Sequence, residues 1–444
     1  MASMIDLQRQ FYEMLLESQY WSPERMREYQ RSQLAQLLRH AKKNVPFYEN
    51  RLDAVLKPNG DIDWDRWREI PIVKRSDLRE HREAMQAREL PVGHGIAGEA
   101  STSGSSGAPI TVTVTDLMIR ASDASRWRME RTNRIDWSKD LFARAPNPSA
   151  VAPKGIIQNI WGPSWDPAAH QGKMFVLDLS ARPDQQLEFM LRHQPRYAAM
   201  GPNSAYSLAV EARRSGVEFS LTALFTTGER LTEDARRSVQ ETFGAWALEL
   251  YSCKEAGHMA HRCRSTGLWH VNAELLLFEV VDVDGKAVAL GVSGRVVVTP
   301  FFSTVQPLIR YEIGDWATLG ETCACGVTLQ TLAAIDGRAN EMFTHPDGRR
   351  ISRHFPERYR DLLQCDAWQL AQVGPRSFEI RFVPLQSGKE RDEAAVRAAF
   401  LDWYFEDSEV LFVPVDAFAP APGGKRAEYV NEHERELSRN SSQG

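Results

Sequence analysis

The chain has 444 residues, more than one hydrophobic core ordinarily serves, so two or more domains are expected. Hydrophobic residues make up 43% and charged residues 25%, the balance of a soluble globular protein, and a net charge of −5 argues against a nucleic-acid-binding surface. No run of about 18 apolar residues is present, so no membrane span is expected.

The cysteines bear on the compartment. There are five, an odd number, and all lie between residues 253 and 365, which is not the pattern of a secreted disulfide framework. The first six residues carry no basic segment followed by an apolar one, as a secretory signal would. The sequence therefore predicts a protein of the reducing cytoplasm.

The N-terminal part predicts helices over 7–52 and 116–133, with a hydroxyl-rich loop between them. In the first region, the apolar positions 34, 37, 38 and 41 share one helical face, and Val45-Pro46 ends the run. The loop 101–109 holds five Ser or Thr residues and two glycines, and an alternating β-branched strand follows at 110–114. Glycines allow backbone N–H groups to turn inward and hydroxyls add donors, so the loop suits a polyphosphate. The alternative is a flexible surface loop.

Strands and helices are predicted to alternate from residue 156 to residue 251. The strands are expected at 156–161, 174–178, 223–226 and 247–251, and the helices at 184–193, 203–214 and 233–243. For the last helix, Thr232 is the expected N-cap and Gly244 the expected stop. Strand–helix–strand units of this kind predict an α/β sheet.

The C-terminal third predicts two further units. Residues 275–283, the turn Asp284-Gly285 and residues 287–290 give the signal of a hairpin, and 295–299 reads as another strand, so a β-rich subdomain is expected over about 270–335. A strand at 378–382, a helix at 396–404 and a strand at 410–415 predict a small α+β domain. The predicted domains are 1–337 and 338–444, with a mobile tail from about residue 417.

Six short motifs resemble those of the adenylate-forming superfamily, the acyl-CoA synthetases and their relatives. They occur in that superfamily's order: Thr102–Pro109, Gly228-Glu229, Tyr251–Glu255, Arg310–Asp315, Gly337-Arg338 and Gly424-Lys425. Segments 37–48, 267–270 and 323–326 narrow the resemblance to the phenylacetate–coenzyme A ligase branch, and it extends from about residue 34 to 430. It implies an α/β large N-terminal domain with a β-rich subdomain, plus a small mobile α+β C-terminal domain hinged near Asn340.

The resemblance implies an ATP-dependent acid–thiol ligase. The first step would join a small-molecule carboxylic acid to the α-phosphate of ATP as acyl-AMP and release pyrophosphate, and the second would pass the acyl group to coenzyme A. Relatives suggest an aromatic or arylacetic acid, and the family suggests a homodimer. Two alternatives stay open: transfer of the acyl group to a carrier protein or an amine, and a non-catalytic scaffold that keeps the fold.

The resemblance also implies roles for individual residues. Glu255 is implied to bind magnesium, and Lys425, on a glycine hinge, to hold the acyl carboxylate and the α-phosphate in the first step. The implied nucleotide-binding residues are Ser103, Gly104, Ser105, Ser106 and Gly107 in the loop, Gly228, Glu229 and Tyr251 around the adenine, and Asp315 and Arg338 at the ribose or phosphate. An aromatic slot for the acid is assigned to Trp161, Gly162, Tyr206 and Cys253.

Two positions depart from the superfamily's pattern. Ala108 stands where a lysine is frequent, so the loop supplies hydroxyls and backbone donors but no charge. Lys254 stands where a threonine is common, and its charge would replace the one that Ala108 lacks. These departures are what leave the scaffold alternative open.

Cysteine and histidine side chains form a second candidate site. Cys263 and His270 are separated by six residues across a predicted turn, and Cys323 and Cys325 follow about 50 residues later. Four thiolate or imidazole ligands suit a structural zinc ion. His258 is the alternative fourth ligand, and reduced, unliganded thiols are the alternative to the zinc site itself.

Overall fold

A computed structural model describes residues 4–57, 59–95, 97–101, 110–338, 342–347, 350–351, 358–385, 390–403, 407–418 and 429–434. The predicted phosphate-binding residues Ser103, Gly104, Ser105, Ser106 and Gly107, together with Ala108, Asn340 and Lys425, lie outside the described residues. The chain divides into two compact units. The first comprises Met1–Ala100, Val112–Ile313 and Thr318–Ala334, and the second Ser101–Thr111, Gly314–Ala317 and Ile335–Gly444. The predicted domain boundary after residue 337 stays a prediction.

The described helices are α1 Met4–Ser18, α2 Pro23–Asn44, α3 Arg75–Glu80, α4 Asp116–Thr132, α5 Pro183–His193, α6 Pro202–Arg214, α7 Glu233–Phe243, α8 Arg358–Leu363 and α9 Glu393–Trp403. The described strands are β1 Ala97–Ser101, β2 Thr111–Thr115, β3 Leu141–Ala145, β4 Ile156–Gln158, β5 Met174–Asp178, β6 Tyr197–Ala199, β7 Ala223–Thr227, β8 Trp246–Cys253, β9 Gly257–Arg262, β10 Trp269–Val271, β11 Leu276–Val281, β12 Ser293–Pro300, β13 Tyr311–Leu319, β14 Thr331–Arg338, β15 Phe343–Thr344, β16 Arg350–Ile351, β17 Cys365–Gln372, β18 Ser377–Pro384, β19 Glu409–Pro414 and β20 Tyr429–Asn431. Within these described segments, no helix combines the length and apolar character needed to cross a bilayer.

Local sequence signals set the ends of several helices. Ser22 caps α2 by accepting a hydrogen bond from the Arg25 N–H at 3.2 Å, and the helix ends at Val45, which is extended before Pro46. Thr232 caps α7 by accepting from the Ala235 N–H at 3.2 Å, and Gly244 ends it in the left-handed conformation at φ +69°. The predicted end at Val45-Pro46 and the predicted start and end of α7 at Thr232 and Gly244 are confirmed.

A twelve-stranded mixed sheet organises the α/β fold. Its strand order is β11-β12-β13-β14-β10-β9-β8-β7-β6-β3-β5-β4. The pairs β5/β3, β3/β6, β6/β7 and β7/β8 are parallel, whereas β8/β9, β9/β10, β10/β14 and β11/β12 are antiparallel. The strands of the predicted β-rich subdomain, about 270–335, therefore belong to the same sheet. The predicted α/β class is confirmed.

Helices α5, α6 and α7 contribute to a core that also contains strand side chains. Phe189 of α5, Leu208 of α6 and Val239 of α7 are buried with Phe142 and Leu224 of β3 and β7. Burying each such side chain contributes about 1.5–3 kcal/mol relative to leaving it exposed. This core fixes the parallel strands whose carboxyl ends lead into the site.

The predicted pairing of the hairpin after residue 275 is wrong. The turn itself forms, with the Asp282 N–H donating to the Lys286 carbonyl at 2.8 Å and Gly285 at φ +77°. However, residues 287–290 make only an isolated bridge to Val281 within the described chain, and the full partner of β11 is β12. The chain turns again where the Val292 N–H reaches the Ala289 carbonyl, so the longer β-branched run of β12 takes the ladder.

The strand expected at 156–161 is also wrong in extent, because β4 covers only Ile156–Gln158. Strands β3 and β6 were not predicted from the sequence. Both lie inside the sheet, where each has a partner on either side.

The second unit contains a four-stranded sheet in the order β19-β18-β17-β20. Strands β17 and β18 are antiparallel, and β18/β19 and β17/β20 are parallel. Phe378, Ile380 and Phe382 of β18 point into a core with Val396 and Phe400 of α9, as the alternation predicted. The sequence predictions missed β17, whose Trp368 and Leu370 join that core.

Candidate functional site

A hairpin turn places Glu255 inside the first unit. The turn joins β8 to β9, where Cys253 pairs with Gly257. Gly257 has φ +68°, and a Cβ there would lie 2.1 Å from the Ser122 Oγ, so only glycine fits this close approach. Glu255 is 4% exposed, whereas Lys254 beside it faces solvent. The turn therefore buries the carboxylate to which the resemblance gives the magnesium.

Two side chains from distant segments contact the Glu255 carboxylate. The Tyr311 hydroxyl donates to Glu255 Oε1 at 3.3 Å, and Arg75 Nη1 lies 3.9 Å from the same oxygen. Burial, with the charge of Glu255 next, raises the pKa of Tyr311 far above its usual value, so the phenol stays protonated and able to donate. Sequence reasoning missed both residues. Tyr311 lies within the Arg310–Asp315 motif, which was a usable signal, whereas Arg75 carried none.

In the second unit, Asp315 of β13 and Arg338 of β14 form an ion pair. Arg338 Nε lies 3.5 Å from Asp315 Oδ1, and their side chains are 29% and 14% exposed respectively. A carboxylate accepts hydrogen bonds only, and an arginine fixes its orientation, so Asp315 is able to accept from vicinal hydroxyls of a ribose. The structure thus brings together the two residues that the resemblance assigns to the ribose and phosphate.

The predicted adenine-lining residues follow or end two parallel strands of the first unit. Gly228 comes directly after β7 with φ +84°, and Glu229 beside it is exposed. Tyr251 lies near the end of β8, with its ring centroid 6.4 Å from that of Phe278 in an edge arrangement. The carboxyl ends of parallel strands are the usual ligand-binding edge of an α/β sheet. These residues therefore lie where a nucleotide would be expected.

The residues predicted to line the acid slot are mostly packed against neighbours. Trp161 is 6% exposed and donates from Nε1 to the Lys139 carbonyl at 2.9 Å. A Cβ at Gly162 would lie 2.7 Å from Trp137 Cγ. Tyr206 packs in a cluster with Leu231 and Ala235, and Cys253 Sγ lies 3.9 Å from Met259 Sδ. Their role in the acid slot stays a prediction.

Four side chains form a compact cluster in the first unit. The ligand atoms of Cys263, His270, Cys323 and Cys325 all lie within 4.8 Å of one another. The Sγ atoms of Cys263 and Cys323 are 3.8 Å apart, and Cys325 Sγ lies 3.3 Å from His270 Nε2. Zinc–sulfur bonds of about 2.3 Å place tetrahedral ligand sulfurs roughly 3.8 Å apart. The donor set and its spacing therefore fit a zinc ion.

Histidine geometry distinguishes the two candidates for the fourth ligand. Burial lowers the pKa of His270 to about 4, so its imidazole is neutral at physiological pH and offers a lone pair to a metal. His258 instead directs Nδ1 to the Ser122 carbonyl at 2.8 Å and is not part of the cluster.

Comparison with known proteins relates the chain to acid–CoA ligases. No family model matches it. It is 25% identical over 336 residues to the phenylacetate-coenzyme A ligase of Escherichia coli (strain K12), covering 70% of this chain and 71% of that protein. It is 22% identical over 344 residues to the enzyme of the same name from Pseudomonas putida, covering 72% of each. These matches support the resemblance of the chain to the adenylate-forming superfamily and to its phenylacetate–coenzyme A ligase branch.

A solved structure of an adenylate-forming enzyme shows the same fold. The crystal structure of 2-hydroxyisobutyryl-CoA ligase in the postadenylation state, in complex with R3-HIB-AMP, superposes with a TM-score of 0.71 at 20% identity, covering 96% of this chain and 94% of that one. Mg²⁺ is commonly bound by one or two carboxylates together with substrate phosphates. The buried carboxylate of Glu255 fits that donor chemistry.

Proposed function

We propose that this adenylate-forming enzyme is an ATP-dependent ligase that activates a carboxylic acid as acyl-AMP and transfers the acyl group to coenzyme A. The observation that carries the proposal is the buried Glu255 carboxylate at its motif position, in a chain whose two curated matches are both acid–CoA ligases. A carboxylate oxygen is the type of ligand that Mg²⁺ takes together with nucleotide phosphates, so Glu255 is suited to hold a magnesium–nucleotide complex.

In the first step, an oxygen of the substrate carboxylate attacks the α-phosphorus of ATP and the bond to the β-phosphate oxygen breaks. Acyl-AMP forms and pyrophosphate leaves. Magnesium, when bound, neutralises charge on the phosphates. Asp315 accepts from the ribose hydroxyls and is oriented by Arg338, at 3.5 Å. Gly228, Glu229 and Tyr251 line the adenine, and Ser103, Ser105 and Ser106, with Gly104 and Gly107, supply donors to the phosphates.

Lys425 holds the acyl carboxylate and the α-phosphate during adenylation only. Its charge offsets repulsion where two negative groups meet, a need that ends once acyl-AMP has formed. In the second step the coenzyme A sulfur attacks the acyl carbon, and AMP leaves. The small domain, 338–444, reorients between the two steps. The substrate is an aromatic or arylacetic acid, bound near Trp161, Gly162, Tyr206 and Cys253.

The proposed enzyme also binds a structural zinc ion, through Cys263, His270, Cys323 and Cys325. The mutual distances of these four ligand atoms support the site, and a reducing cytoplasm would keep the thiols free to bind. Cys263 and His270 lie on either side of the turn between β9 and β10, and β9 begins two residues after Glu255. The metal would thereby stabilise β9, the strand that follows the turn carrying Glu255.

Acid-dependent exchange of labelled pyrophosphate into ATP tests the first step. A panel of arylacetic, benzoic and aliphatic acids is expected to give exchange with at least one aromatic member. Coenzyme A, a carrier protein and simple amines are then offered to the acyl-AMP so formed, and a coenzyme A thioester is the expected product. Exchange without a thioester would favour the carrier-protein or amine alternative, and no exchange with any acid would favour the scaffold.

A further inference from the structure

We propose that Tyr311 is a positioning residue for the magnesium-binding carboxylate of Glu255. This inference rests on the proposed function, because it concerns how the adenylation site holds its metal–nucleotide complex. Tyr311 is fully buried, and its hydroxyl donates to Glu255 Oε1 at 3.3 Å. The hydroxyl contacts one oxygen of the carboxylate, and Glu255 would hold the metal while kept in this orientation.

Both contacts that reach the carboxylate from distant segments fall on the same oxygen. Arg75 Nη1 lies 3.9 Å from Oε1, the atom that also accepts from Tyr311. The two donors differ in kind: the arginine brings a charge at ion-pair distance, whereas the phenol brings a directional hydrogen bond without charge. A neutral donor orients a metal ligand without opposing the metal, so Tyr311 is the residue suited to positioning.

The fold holds Tyr311 from two sides. The Val73 N–H donates to the Arg310 carbonyl at 3.0 Å, and the Glu312 N–H donates to the Val73 carbonyl at 2.9 Å, so segment 73 runs as a short parallel bridge beside Tyr311. Arg310, 1% exposed, donates from Nη1 to the Arg68 and Ile70 carbonyls at 2.8 and 3.0 Å. These bonds tie the start of β13 to the segment that leads into α3.

Buried hydrogen bonds of this kind restrict the orientation of a carboxylate before its ligand arrives. Glu255 sits in a three-residue turn, and holding its side chain in one rotamer for a metal costs conformational freedom. A donor held rigidly by the backbone removes that freedom in advance. Loss of the Tyr311 hydroxyl should therefore weaken the effect of magnesium on nucleotide affinity. It should do so only when Glu255 is present.

The coupling can be measured without turnover. The affinity for α,β-methylene-ATP is determined by calorimetry with magnesium and again with EDTA, and the ratio of the two affinities is the coupling. In Tyr311→Phe the ratio is expected to fall about tenfold, the effect of losing a hydrogen bond to a charged group, while the metal-free affinity stays unchanged. Tyr12→Phe, a buried tyrosine of α1 packed near Trp165, is the matched control and should keep the wild-type ratio.

A double variant tests whether Tyr311 acts through Glu255. Glu255→Gln should reduce the coupling, and Glu255→Gln/Tyr311→Phe should match Glu255→Gln alone. This comparison also serves if Tyr311→Phe proves too unstable, because the double variant leaves no carboxylate at position 255 without its hydroxyl donor. A wild-type ratio in Tyr311→Phe, or a further loss in the double variant, would overturn the inference. Absence of acyl-AMP formation by the wild type would instead overturn the proposed function.

Discussion

Asp315→Ala should weaken nucleotide binding through the ribose. Asp315 lies in β13 with a side chain 14% exposed, oriented by Arg338 at 3.5 Å. Alanine removes both acceptor oxygens while leaving the strand backbone in place. The adenine-lining residues around β7 and β8 are untouched by the change, so the loss should be confined to the contacts that the ribose hydroxyls make.

The magnitude follows from the hydrogen bonds at stake. A bond to a charged acceptor contributes about 1.5–3 kcal/mol, and two ribose hydroxyls would reach the carboxylate. Water replaces part of that interaction in the variant, so the net loss is about 2 kcal/mol. At about 1.4 kcal/mol for each factor of ten, the dissociation constant for ATP should rise roughly 30-fold.

The assay compares ATP with 2′-deoxy- and 3′-deoxy-ATP by calorimetry. The wild type should prefer ATP, and Asp315→Ala should bind all three nucleotides with similar affinity. Asp284→Ala, which removes an exposed carboxylate at the turn after β11, controls for the change in net charge. Unchanged ATP affinity in Asp315→Ala, or an equal loss for the deoxy nucleotides, would refute the ribose role.

Two other substitutions separate the remaining parts of the site. Lys425→Ala should slow adenylation about 100-fold, a loss of ~3 kcal/mol, yet leave thioester formation from supplied acyl-AMP nearly intact; an equal loss in both half-reactions would make the lysine structural. Cys323→Ser should abolish a zinc content of about one ion per chain, measured by elemental analysis, and lower the melting temperature. Wild-type protein purified without zinc, with the same melting temperature as the variant, would contradict the metal site.

Much of the fold could be predicted from the sequence because the signals that start and end its elements lie within a few residues of chain. The cap at Thr232 and the stop at Gly244 fix α7 within a few residues of chain, and the structure reproduces both. Strand β3, with the sequence Leu-Phe-Ala-Arg-Ala, was missed because a strand buried inside a parallel sheet shows no alternation. The partner of β11 was mistaken because a turn signal specifies the bend but not which later segment completes the ladder.

Residues of the candidate site could be predicted from the sequence where the residue type itself indicates a chemical role. Cysteine and histidine spacing predicted the four-residue cluster, whose members the structure brings together, but only geometry separates His270 from His258. The contact between Glu255 and Tyr311 joins residues 56 positions apart, and Tyr311 also forms an isolated parallel bridge with Val73. No local pattern encodes such a register, so this contact could not be predicted from the sequence.

The proposed function requires that the chain joins an acid to AMP before passing the acyl group to coenzyme A. Its most direct measurement is acid-dependent exchange of labelled pyrophosphate into ATP, followed by mass-spectrometric detection of the coenzyme A thioester with the acid that supports exchange. We expect exchange without coenzyme A and a thioester once coenzyme A is added, with both lost in Glu255→Gln. A thioester formed without any pyrophosphate exchange, or no exchange across the whole acid panel, would contradict it.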